Sequence, residues 1–149
     1  MSLQVFRAMD ISASGLAAER LRLDLIASNL ANINTTRTAS GEPYRRKVAV
    51  FRSRQATFGS LLSAGLRRGR HVGYGVEVVA VREDPSPFKV RYDPGHPDAD
   101  ENGYVRYPNV DLATEMVDLI TASRAYEANV TAIQVAKEMA MRALDLGRV

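Results

Sequence analysis

Two histidines, His71 and His96, and the acidic run around the second are the residue types in this chain from which a reactive site could be built. A hydrolase needs a nucleophile, a base and an orienting acid. His71 instead sits in RRGRHVGYG, a basic segment bounded by glycines. DPGHPDADENG gathers Asp93, His96, Asp98, Asp100 and Glu101. It lacks the alternating oxygen ligands and terminal Glu of a calcium loop, and it lacks a second His at helical spacing. Consecutive turns explain its Asp-Pro-Gly and prolines better. With no cysteine, thiolate catalysis, Cys-ligated zinc and disulfides drop out together. No glycine-rich phosphate loop follows a strand and opens a helix. The sequence therefore assigns no catalytic residue, no metal, no cofactor and no small-molecule substrate.

Charge is the chemistry that remains. Between residues 44 and 82 lie Arg45, Arg46, Lys47, Arg52, Arg54, Arg67, Arg68, Arg70 and Arg82 against the single acid Glu77. Between 83 and 111, acids predominate over Lys89, Arg91 and Arg106. A basic face next to an acidic one suits stacking of copies or relatives, with Arg67, Arg68 and Arg70 set against Asp98, Asp100 and Glu101 of a neighbour. The net charge of +3 is too balanced for a surface that tracks phosphates, so nucleic acid is not an expected partner.

The elements that hold these charges fall into three zones. In the first, up to about Asn34, Met9, Leu16, Leu23 and Leu30 recur every seven residues. Val5, Ser12, Glu19, Ile26 and Ile33 form a second row beside them. Alternating steps of three and four mark one helix of a coiled-coil-like seam. In the last zone Leu112, Leu119, Tyr126, Ile133 and Ala140 repeat the spacing. Met116, Ser123, Val130, Lys137 and Leu144 supply the companion row. Asp111 suits a helix N-terminus and Gly147 a stop. Uninterrupted by Gly or Pro from 110 to 146, this helix would run roughly 55 Å. Polar residues in both seams imply helices that bury more than one face in a larger bundle. The middle, YRRKVAVF, GVEVVAVRED, PFKVRY and GYVRYP, alternates and is β-branched, with Gly and Pro at the turns. The expected fold is mixed α and β: 1–36 and 109–149 as an antiparallel helical core, and 37–108 as a β-rich insert with a variable basic loop near 52–72.

Asn29, Asn32 and Asn34 stand out in DLIASNLANINTTRT, because such side chains compete for backbone hydrogen bonds inside a helix. Buried amides need partners, so these asparagines are expected either to meet polar groups in whatever the helix packs against or to end the helix.

SGLAAERLRLDLIASNLANINTT at 14–36 resembles the N-terminal signature of bacterial flagellar rod and hook axial proteins. NVDLATEMVDLITASRAYEANVTAIQVAKEMAMRALDLG at 109–147 resembles their C-terminal one. TTRTASGEPYRRK and EDPSPFKVRYDPGHPDADENGYVRYPNVD are similar to the short proximal-rod branch rather than to the longer hook and distal-rod branches. The resemblance implies a non-enzymatic building block that self-associates and stacks helically into a tube. It implies neighbours of the FlgB, FlgF and FlgG types, a FliE-type base adaptor, and export through the flagellar type III apparatus without a cleaved signal. The absence of a basic and then apolar leader in MSLQVFRAMDIS agrees with that route. The competing class is a soluble coiled-coil adaptor or a nucleic-acid-binding module that uses the basic loop.

Overall fold

A computed structural model describes residues 2–54 and 73–146. Two long helices flank a small β insert. The order is α1 (Ser2–Ala31), β1 (Lys47–Ser53), β2 (Val76–Glu83), β3 (Lys89–Tyr92), β4 (Tyr104–Tyr107) and α2 (Leu112–Leu146). The strands form two two-stranded sheets, β1 with β2 and β3 with β4. The second is antiparallel, with Lys89 opposite Tyr107 and Tyr92 opposite Tyr104. The expected strands all appear: β2, β3 and β4 are trimmed at their ends, while β1 starts at Lys47 and runs past Phe51 to Ser53. The loop containing Arg67, Arg68, Arg70 and His71 lies outside the described residues, as does Gly147.

The helix ends follow local chemistry. α1 stops at Ala31 because Asn32 turns its amide back, its Nδ2 donating to the Ser28 carbonyl at 2.9 Å, while Thr35 Oγ1 donates to Asn32 Oδ1 at 3.2 Å. The same carbonyl also accepts from the Asn32 N–H at 3.1 Å, and the Ile33 N–H donates to the Leu30 carbonyl at 3.3 Å, which tightens the last turn. Asp111 caps α2: its Oδ1 accepts from the Thr114 N–H at 3.0 Å and from the Thr114 hydroxyl at 3.1 Å.

Contacts divide the chain into two compact units, and the division cuts across both helices. One unit comprises Met1–Arg20, Phe51–Val79 and Arg124–Val149; the other comprises Leu21–Val50 and Ala80–Ser123. In the first, Ser14, Ala18 and Ala136 are buried, and Gly15 meets the Asn129 amide, where a Cβ would stand 2.9 Å from Oδ1. In the second, Ile26, Asn29, Tyr44, Val105, Pro108, Val110, Glu115 and Ala122 are buried. There Arg22 bonds Asp118 and Asn29 bonds Glu115, so α1 and α2 run antiparallel.

The inner face of α2 differs from the expected one. Leu119, Tyr126 and Ile133 are half-buried, but Met116 and Leu144 of the companion row are exposed, as is Leu112. The innermost row is instead Glu115, Ala122, Asn129 and Ala136, also seven apart, with only Asn129 not fully buried. Small and polar residues hold the centre of this seam, and larger apolar ones flank it. On α1, Met9, Leu16, Leu23 and Leu30 are half-buried, as is Ile33 in the turn that follows, while Ile26 and Asn29 are fully buried.

Candidate functional site: a buried polar junction

Asn29 lies on the last turns of α1 and is only 1% exposed. All four of its side-chain hydrogen-bonding positions are used. Its Oδ1 accepts from the Lys47 N–H at 2.9 Å and from the Tyr44 hydroxyl at 3.0 Å. Its Nδ2 donates to the Lys47 carbonyl at 3.0 Å and to Glu115 Oε2 at 3.1 Å. The amide thus meets both backbone groups of the first residue of β1, as a neighbouring strand would. A carboxamide fits here because it carries a donor and an acceptor side by side. Ser28 and the Tyr44 hydroxyl lie 3.3 Å apart, so one donates to the other beside it.

Glu115, in the first turn of α2, is fully buried. A lone buried carboxylate is costly, and this one is paired. Arg46 Nε donates to Glu115 Oε1, and Arg46 Nη2 donates to Asp118 Oδ2 at 2.9 Å. Nη1 lies 3.7 Å from Asp84 Oδ2. Arg22 adds a bond to Asp118 Oδ1 at 3.1 Å. Burial lowers the Arg46 pKa, but Glu115, Asp118 and Asp84 outweigh it and raise it above the usual guanidinium value. A planar guanidinium with fixed donors suits this crossing of carboxylates.

Asn109 closes the junction from the turn before α2. Its Oδ1 accepts from the Arg46 N–H at 2.9 Å, and its Nδ2 donates to the carbonyls of Asp84 and Ser86 at 3.1 and 3.2 Å. The Asp84 N–H donates to the Arg46 carbonyl at 2.8 Å. Hydrogen bonds from the Ser86 hydroxyl and N–H, with a smaller contribution from Arg46, hold the Asp84 carboxyl below its usual range. Two asparagines and one arginine therefore fasten α1, the start of β1, the end of β2 and the start of α2.

The sequence singles out Asn29 but not Glu115, Arg46 or Asn109. Glu115 could have been found as the member of the Ala122 and Ala136 row that is neither small nor apolar. The charges assigned to a neighbour have intrachain partners in part. Asp98 accepts from the Thr36 hydroxyl at 2.8 Å and lies 3.6 Å from Arg37. Asp100 Oδ1 accepts from the N–H groups of Asn102 and Tyr104, fixing the turn before β4. Glu101 is exposed. No group of three or more metal-ligating side chains occurs among the described residues.

Two long antiparallel helices around a small β insert, tied by a polar junction at the helix–strand corner, are the frame on which the comparisons fall. Residues 9–37 match the family "Flagella basal body rod protein", and residues 101–146 match "Flagellar basal body rod FlgEFG protein C-terminal". These two segments carry α1 from Met9 onward and β4 with α2, so the class is that of the flagellar rod proteins. The flagellar basal-body rod protein FlgC of Bacillus subtilis is 46% identical, over 96% of this chain and 98% of that protein. FlgC of Borreliella burgdorferi is 45% identical over 95% of this chain and 97% of its own length. That of Salmonella typhimurium is 42% identical over 93% and 95%. The chain belongs to the flagellar basal-body rod protein FlgC family.

Proposed function

We propose that this chain is a structural subunit of the proximal rod of the bacterial flagellar basal body and works without catalysis. It assembles helically with other rod proteins and carries torque from motor to hook. Near-full-length identity to proteins named for the rod is the observation that carries this reading. The polar junction fits it mechanically. Hydrogen bonds and ion pairs are directional, so they resist sliding and twisting at a corner better than apolar contact of the same area. Rod proteins of the FlgB, FlgF and FlgG types, a FliE-type adaptor and the type III export apparatus are the partners this role calls for. Among the described residues no helix is long and apolar enough to cross a membrane. Nothing in the relatives' names favours the adaptor or nucleic-acid alternative.

The test is to delete the gene for this chain and restore it with a tagged copy. Electron microscopy of isolated basal bodies should find the tag in the rod wall, and deletion should leave cells without rods. Basal bodies that carry complete rods in the deletion strain would refute the proposal.

A further inference from the structure

Asn102–Gly103 is the single Asn-Gly step in the sequence. The other asparagines, Asn29, Asn32, Asn34, Asn109 and Asn129, precede Leu, Ile, Thr, Val and Val. The difference matters for one spontaneous reaction of the asparagine side chain, in which the next backbone nitrogen attacks the amide carbon. A bulky side chain on that next residue hinders the approach, whereas glycine offers no side chain and a freely turning backbone. Among the described residues the Asn102 carboxamide is exposed and forms no hydrogen bond. Those of Asn29, Asn32, Asn109 and Asn129 are all bonded.

The fold opposes what the dipeptide invites. The Gly103 N–H donates to the Asp100 carbonyl at 2.9 Å. Asp100 Oδ1 accepts from the N–H groups on either side of it, Asn102 at 3.0 Å and Tyr104 at 2.8 Å. The Asp93 N–H donates to the Gly103 carbonyl at 2.9 Å. Gly103 itself has φ +79° and lies against the Tyr92 ring, where a Cβ would stand 2.9 Å from Cε2. The attacking nitrogen is thus engaged with another carbonyl, and the peptide group that would have to rotate is tied on both sides. Attack needs the reacting atoms in contact and aligned.

We infer that Asn102 is a deamidation site that the turn keeps closed in the folded chain and that opens when the chain unfolds. In the open chain the Gly103 nitrogen loses its proton and bonds to Asn102 Cγ. The bond from Cγ to the amide nitrogen breaks, and that nitrogen leaves as ammonia. Water then opens the succinimide ring. Hydrolysis at Cγ leaves aspartate. Hydrolysis at the main-chain carbonyl carbon leaves isoaspartate, whose backbone runs through Cβ and Cγ and is one atom longer. Either product adds a carboxylate beside Asp100 and Glu101. Isoaspartate also pushes Gly103 from its place against Tyr92, which loosens the β3–β4 hairpin. The site thereby records time spent unfolded.

Full-length protein is incubated in mildly alkaline buffer with and without urea, then digested with trypsin. Peptide 92–106, in which Asn102 is the one asparagine, is followed by mass spectrometry for loss of ammonia and for isoaspartate. Conversion in urea should run at least about tenfold faster than in the folded protein, because the folded reaction must wait for local opening. In urea it should also outpace every other asparagine of the chain. Asp100→Ala removes the carboxylate that ties the turn, and circular dichroism checks that the variant folds. It should raise the folded rate about threefold or more and leave the rate in urea unchanged. Equal rates with and without urea, or faster reaction at another asparagine in urea, overturn the inference. So does a folded Asp100→Ala protein that reacts at the wild-type rate. Wild-type protein converted in urea and refolded should unfold at a lower urea concentration than unconverted protein taken through the same steps. An equal midpoint overturns the predicted loosening of the hairpin.

Discussion

Ser14 and Asn29 do the same job in two different ways. Each is a polar side chain of α1 that holds the first residue of a strand. Ser14 Oγ accepts from the Val76 N–H at 3.0 Å, at the start of β2, while donating to the Ile11 carbonyl at 2.6 Å. Asn29 holds both backbone groups of Lys47, at the start of β1. The serine's hold is a single bond made tight by space. Gly75 there has φ +94°, and a Cβ on it would stand 2.3 Å from Ser14 Oγ. The asparagine's hold is wide and charged, since Glu115 and Arg46 stand behind it. A hydroxyl suffices where backbone meets backbone closely. An amide with an ionic backing is needed where a whole corner must be fixed. In both places a polar residue in a helix, a defect by seam rules, is the point where a strand attaches.

The largest effect should come from the charged side of this comparison. Arg46→Leu strands the buried Glu115 carboxylate and should destabilise by about 3–5 kcal/mol, read as a fall in urea midpoint. Adding Glu115→Leu should recover most of that loss, because an apolar pair of similar size often replaces a buried ion pair without cost. A single change as mild as a surface substitution would mean that Glu115 is not the anchor of this corner.

Next, Asn29→Ala leaves Lys47, Tyr44 and Glu115 each short of a partner and should cost about 2–4 kcal/mol, whereas Ser14→Ala removes one backbone contact and should cost about 1 kcal/mol. Equal losses would erase the distinction between the two pins.

Gly75→Ala should cost about 1–3 kcal/mol for the left-handed backbone, plus the clash with Ser14. In a Ser14→Ala background the clash is relieved, so the same change should cost less than in the wild type. Additive losses would show that Ser14 and Gly75 are not coupled.

The smallest effect is one of pH. Hydrogen bonding from the Thr114 N–H, then from Lys89, depresses the Asp111 pKa from 3.8 to about 2. A depressed carboxylate adds stability above its unfolded pKa and loses it as pH falls through the folded one. Its share should therefore be complete above about pH 4 and vanish toward pH 2. Asp111→Asn should flatten that part of the stability–pH curve. α1 has no acid in its first turn, so no matching step should come from its N-terminus.

Much of this molecule was legible in the chain itself. The helices at both ends, the four strands, the capping by Asp111 and the family resemblance all rest on local spacing and composition, which depend on residues a few positions apart. Asn29 could be singled out as an anomaly, because a polar residue in an apolar seam stands out locally. Its partners could not be named, since Glu115 lies 86 residues away and Lys47 offers only backbone. The face of α2 that turns inward was equally hidden. Hydropathy favoured Met116 and Leu144, yet Ala122 and Ala136 are the buried ones, because close helix approach selects for small size and leaves large apolar groups at the flanks. Local sequence determined which elements form; only the tertiary structure decided which polar atoms meet, because each of those bonds needs two distant segments to arrive together.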